Sequence, residues 1–286
     1  MSVLSPGQVV WFEFTTHDAG AVEQFYGPLF GWTFELDPDS SVAGRRYVRI
    51  TARDAAWPMG AVLEQPGGGA QLQVSVFSAD VPADVERLRE LGATVLVPAT
   101  QVADVTWFAV LADPRGNPLS VFSRTRSERL AQRAAATEEQ MTFAVPAPGA
   151  FAWFEIGTAD ADVTRDFYRA AFGWRFEWDE SSGDKPYFNV FTGNDQPAGG
   201  LNANGTDYLM PSFVVDEISA VLERAEKLGG TIEFGADINP DGLRYARVLD
   251  PGGNRFGVFT RPTGAGPRSG AGQEALGRAD YRARTA

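Results

Sequence analysis

The chain has 286 residues, 44% hydrophobic and 22% charged, the balance of a globular protein with room for two domains of about 150 residues each. Its net charge of −12 and the absence of a basic run argue against a nucleic-acid partner. With no cysteine and a single histidine, His17, it can build no disulfide, no thiolate nucleophile, no sulfur-ligated zinc site and no multi-histidine metal centre.

A strand is predicted over 9–15, followed by a helix over 19–30 with Asp18 as its N-cap and Gly31 as its stop. Strands follow at about 33–36, 46–51, 61–63 and 71–77. Val85, Leu88 and Leu91 give helical spacing over about 82–91. Three strands come next, at about 94–97, 106–112 and 118–123. The stretch 125–147 reads as a surface linker, polar and helix-compatible over 127–140. Beyond it the same order returns, with helices at 161–172, between Asp160 and Gly173, and at about 217–228. After Pro262 the Gly-, Ala- and Arg-rich tail is expected to be flexible.

This return is an internal repeat. Trp11-Phe12-Glu13 recurs as Trp153-Phe154-Glu155, and Phe25-Tyr26 through Phe30-Gly31-Trp32 recurs as Phe167-Tyr168 through Phe172-Gly173-Trp174. Leu91-Gly92 matches Leu228-Gly229, and Asp113-Pro114-Arg115-Gly116-Asn117 matches Asp250-Pro251-Gly252-Gly253-Asn254. The predicted organisation is a first module over 8–124, a linker over 125–147, a second module over 148–262 and a tail over 263–286. Each module carries the βαβββ order twice.

Together these blocks resemble the vicinal-oxygen-chelate superfamily, the group of glyoxalases, bleomycin-resistance proteins and extradiol dioxygenases. The Trp-Phe-Glu start and the tandem form are similar to bacterial glyoxalase-like proteins often labelled hydroxylases, some encoded among antibiotic-biosynthesis genes. The resemblance implies an α+β fold, with four βαβββ motifs forming two tandem modules whose curved mixed sheets wrap cavities. It also implies a divalent metal in each cavity, held from the first strand, the strand before the second helix and the last strand.

Carried onto this chain, those ligand positions fall on Trp11 and Trp153, near Gln73 and Met210, and on Ser120 and Gly257. Trp, Met and Gly offer no hard oxygen or imidazole donor. No metal and no other cofactor is therefore expected, and His17 reads as a loop residue. Strand alternation sends Phe12 and Phe14 under the helix and turns Trp11, Glu13, Trp153 and Glu155 into the cavities. Phe122 and Phe259 share the cavity face of the last strands, and Tyr47 and Tyr187 hold matching positions with a hydroxyl to donate.

A pocket of Trp and Phe with one carboxylate suits a flat aromatic ligand. The leading expectation is a metal-independent protein that binds a hydrophobic or aromatic small molecule, for sequestration or to assist a biosynthetic oxidation. The rival is a cofactor-free enzyme, an isomerase, cyclase or hydroxylase-like catalyst with Glu13 or Glu155 as general base. A bland alternative stands beside each site residue. Trp11 and Trp153 would simply fill the cavities, Glu13 and Glu155 would sit at a solvated rim or pair with Arg49 or Arg247, and Tyr47 and Tyr187 would only pack. No run of 18 or more apolar residues and no signal-peptide pattern is seen, so a cytoplasmic protein off the membrane is expected. It would be a monomer with an internal pseudo-dimer, or a homodimer.

Overall fold

A computed structural model describes residues 5–38, 45–65, 67, 69–102, 106–123, 146–182, 186–238 and 242–260. Most of the predicted linker and all of the predicted tail lie outside the described residues. The first half runs β1 (Val9–Thr16), α1 (Ala19–Phe30), β2 (Thr33–Leu36), β3 (Arg46–Thr51), β4 (Gly60–Glu64), β5 (Gln71–Phe77), α2 (Val81–Glu90), β6 (Thr94–Val102), β7 (Thr106–Ala112) and β8 (Pro118–Phe122). The second half runs β9 (Phe151–Gly157), α3 (Ala161–Phe172), β10 (Arg175–Trp178), β11 (Tyr187–Phe191), β12 (Gly199–Asn202), β13 (Tyr208–Val214), α4 (Ile218–Lys227), β14 (Thr231–Ile238), β15 (Arg244–Leu249) and β16 (Arg255–Thr260). The strand at 94 extends five residues past its predicted end at 97, because its pairing with β7 continues to Val102.

Each half forms one eight-stranded sheet, in the orders β2-β3-β4-β1-β5-β8-β7-β6 and β10-β11-β12-β9-β13-β16-β15-β14. Each sheet is two βαβββ motifs joined at the antiparallel pair of their first strands, β1 with β5 and β9 with β13. Local chemistry sets the helix ends. The Asp18 and Asp160 carboxylates accept from the backbone N–H groups of Ala21 and Val163. Gly31 and Gly173 close α1 and α3 in the left-handed region, at φ 71° and 69°.

The hydrophobic cores do not follow the sequence halves. In one core, Phe12, Phe14 and the buried face of α1 pack against Phe213, Ile218, Leu222, Val248 and Phe256 of the second half. In the other, Val74, Val85, Leu88 and Val121 pack against Phe154, Phe167, Tyr168 and Trp174. A βαβββ motif thus buries its apolar face against a motif of the other half.

Polar contacts repeat the exchange with two-fold symmetry. The Tyr26 hydroxyl donates to Asp250 at 3.0 Å, and the Tyr168 hydroxyl to Asp113 at 2.9 Å. The Trp32 indole donates to the Gly149 carbonyl and the Trp174 indole to the Gly7 carbonyl, both at 2.7 Å. Tyr26 stacks on Trp32 and Tyr168 on Trp174, nearly parallel at 5.2 and 4.7 Å. The Phe-Tyr and Asp-Pro-x-Gly-Asn repeats are therefore more than helix ends and turns. Each is one half of a lock closed by the other half of the chain.

Candidate functional site

Strand alternation divides the side chains as expected. Phe12 and Phe14 are buried in the core, while Trp11, Glu13 and Thr15 sit half-buried on the opposite, concave face. The β1–β5 register sets Glu13 opposite Gln73 and Trp11 opposite Ser75. Ser75 in turn lies beside Ser120 on β8, and the two hydroxyls bond at 2.5 Å. The row joining the three strands is therefore Trp11–Ser75–Ser120, and Gln73, predicted in that row, lies one step along it beside Glu13. In the second sheet the same row is Trp153–Ser212–Gly257, with Met210 opposite Glu155. Phe122 and Phe259 lie a further step away, Phe122 against Phe77 and Phe108, Phe259 against Val214 and Tyr245. His17 is an exposed residue between the end of β1 and the capping Asp18.

Both sheets carry a relay of Trp, Tyr and Glu. The Trp11 indole donates to the Tyr47 hydroxyl, which donates to Glu13 at 3.1 Å. The Trp153 indole donates to the Tyr187 hydroxyl at 3.2 Å, and Tyr187 donates to Glu155 at 3.3 Å. Tyr47 and Tyr187 thus act as donors rather than as packing alone. Arg49 takes no part: it pairs with Asp37 at 2.6 Å, not with Glu13.

The carboxylates differ in their surroundings. Desolvation pushes Glu13 up to about 7, against the opposing effect of the Tyr47 hydrogen bond. Desolvation also raises Glu155, opposed by hydrogen bonds from Tyr208, Tyr187 and Asn202 and by the positive charge of Arg247. Tyr208 donates to Glu155 at 2.5 Å, and the guanidinium groups of Arg247 and Arg255 lie 5.2 and 5.0 Å from its ring centroid. The burial raises all three phenols, Tyr47, Tyr187 and Tyr208, so they remain protonated donors.

Tyr208, Asn202 and Ser75 escape a reading of the sequence by motif, because none belongs to a repeated block. Only strand register brings them to the site. Tyr208 also depends on Gly157, where a Cβ would stand 2.1 Å from its ring. Tyr187 likewise depends on Gly200, where a Cβ would stand 1.8 Å from its hydroxyl.

The donor sets do not fit a divalent cation. Trp11, Ser75 and Ser120 in one sheet, and Trp153, Ser212 and Gly257 in the other, supply neutral hydroxyls and an indole N–H instead of carboxylate or imidazole lone pairs. Among the described residues, no three His, Cys, Asp or Glu side chains cluster so that they could hold a metal. The first sheet does hold a cleft of about 300 Å³, lined by Thr15, Leu63, Gln71, Val97, Phe108 and Val110 among others.

Comparison with known proteins identifies the fold family. Residues 11–122 match the family described as Glyoxalase-like domain. Residues 150–258 match the Glyoxalase/Bleomycin resistance protein/Dioxygenase superfamily. The chain belongs to the vicinal-oxygen-chelate superfamily, as two tandem glyoxalase-like modules.

It is 29% identical over 276 residues to "Anthracycline biosynthesis protein DauV" of Streptomyces sp. (strain C5), covering 90% of this chain and 94% of that protein. The same figures hold for "Anthracycline biosynthesis protein DnrV" of Streptomyces peucetius. The Mn(II)-bound glyoxalase from Novosphingobium aromaticivorans has the same fold, with a TM-score of 0.57 at 14% identity, over 90% of this chain and 83% of that one. Among the described residues of this chain no helix is long and apolar enough to cross a membrane.

Proposed function

We propose that this protein binds a flat, polycyclic aromatic small molecule on a concave sheet face without a divalent metal, either to sequester it or to present it for a biosynthetic oxidation. The observation that carries this reading is the Trp–Tyr–Glu relay. In both modules it brings an indole, a phenol and a carboxylate to the face where the superfamily's metal ligands would come together. Indole surface supplies stacking area, and the carboxylate orients a polar substituent. The anthracycline-biosynthesis names of DauV and DnrV support an aromatic polyketide as the ligand class.

The test is tryptophan fluorescence titration with a hydroxyanthraquinone, before and after exhaustive dialysis against a chelator, with metal content measured in parallel. Saturable quenching that survives the chelator is expected. Stoichiometric divalent metal, with binding lost when it is removed, would overturn the proposal.

One observation favours a second reading, acid–base catalysis. Glu13, pushed up to about 7, is poised to take or give a proton near neutral pH. Turnover of a bound polyketide with an apparent pKa near 7 that disappears in Glu13→Gln would establish it.

A further inference from the structure

The duplication makes each module a control for the other. In the second module Tyr208 lies across Gly157 and places its hydroxyl on Glu155, while Asn202 adds a further donor to the same carboxylate. Arg247 covers the rings of Tyr208 and Phe234. At the register-equivalent positions of the first module the tyrosine, phenylalanine and arginine give way to smaller side chains, the asparagine to leucine, and the glycine to threonine. Thr15 stands for Gly157, Leu63 for Asn202, Gln71 for Tyr208, Val97 for Phe234 and Val110 for Arg247. All five of these first-module residues line the cleft of about 300 Å³. The cleft is thus the space that a phenol and its covering cation fill in the second module. A second, independent feature lies directly behind the cleft wall. Gln73, fully buried opposite Glu13, accepts on its side-chain oxygen from Gln71, which lines the cleft, and its side-chain N–H₂ group has no hydrogen-bond partner among the described residues.

We infer that the chain binds one ligand, in the first module, and that Tyr208 is a built-in phenol closing the second. The ligand places a phenolic or enolic hydroxyl on Glu13, as Tyr208 does on Glu155, and a neighbouring carbonyl oxygen on the Gln73 amide. A hydroxyl beside a ring ketone, as in a peri-hydroxyquinone, carries both groups on one flat edge, and Glu13 and the Gln73 amide replace the hydrogen bond that the hydroxyl donates to the ketone in the free ligand. This inference deepens the proposed aromatic binding and rests on it.

Calorimetric titration of the full chain with 1-hydroxyanthraquinone, 1-methoxyanthraquinone and 1-hydroxyanthracene tests it. One site per chain is expected for the first. The methoxy compound, with no donor for Glu13, and the anthracene, with no carbonyl for Gln73, should each bind about 10- to 100-fold more weakly. Gln73→Leu should erase the preference for the quinone over the anthracene while leaving the hydroxyl preference in place. The double variant Thr15→Gly, Gln71→Tyr, which brings in the second module's glycine and covering phenol, should lose binding while still unfolding in one cooperative transition. Two equivalent sites, or equal affinity for the hydroxy and methoxy compounds, would overturn the inference and leave aromatic binding standing. Failure of all three compounds to bind would overturn both.

Discussion

Glu13→Gln isolates the cost of holding a carboxylate on the concave face. The substitution keeps the shape and an acceptor for Tyr47 but cannot ionise. Glu13 is pushed from 4.5 up to about 7, so between those values the native state keeps a proton that the unfolded chain has released. Stability then falls as pH rises through this window and levels off above the folded value. The full penalty at high pH is about 3 kcal/mol, reduced toward about 2 kcal/mol because Glu13 keeps some solvent contact. Only part of it has developed at pH 5.5, where the unfolded chain is mostly ionised and the native site is not.

Relative to the parent, the variant should therefore gain about 1–2 kcal/mol more stability at pH 8.5 than at pH 5.5. Urea unfolding of both proteins at the two pH values measures this directly, since every other titrating group cancels in the difference. Equal stabilisation at both pH values, or greater stabilisation at pH 5.5, would refute the reasoning that Glu13 is desolvated rather than compensated.

Tyr26→Phe and Tyr168→Phe each remove a donor from a buried turn aspartate, Asp250 or Asp113. Each should cost about 1–3 kcal/mol in denaturant unfolding, with similar values because the contacts are symmetric. Gly200→Ala drives a Cβ against the Tyr187 hydroxyl; a loss of about 1–3 kcal/mol is expected, whereas the reverse change at the matching site, Ala61→Gly, should cost about 1 kcal/mol or less. A fragment ending after β8 exposes the faces of Phe12, Phe14 and Val74 that the other half covers. Light scattering after size-exclusion chromatography should show it as a dimer or an aggregate, and a folded monomer would contradict the exchanged cores.

The strand and helix pattern was legible in the sequence because it depends on local signals. The Asp caps, the Gly31 and Gly173 stops, and the alternation that separates Phe12 and Phe14 from Trp11 and Glu13 all act within a few residues. The duplication added the pairing of Trp11, Glu13 and Tyr47 with Trp153, Glu155 and Tyr187, the residues that the relay hydrogen bonds join in each sheet. Tertiary structure decided what depends on contacts between distant strands. It set Ser75 rather than Gln73 in the row with Trp11, sent Arg49 to Asp37, and brought Tyr208 and Asn202 onto Glu155. It also joined Tyr26 to Asp250, 224 positions apart, and Tyr168 to Asp113. A motif repeats in sequence whether it is completed by its own half or by the other. Only the burial of each sheet's apolar face against the opposite half, driven by surface that neither half can cover alone, selects between them.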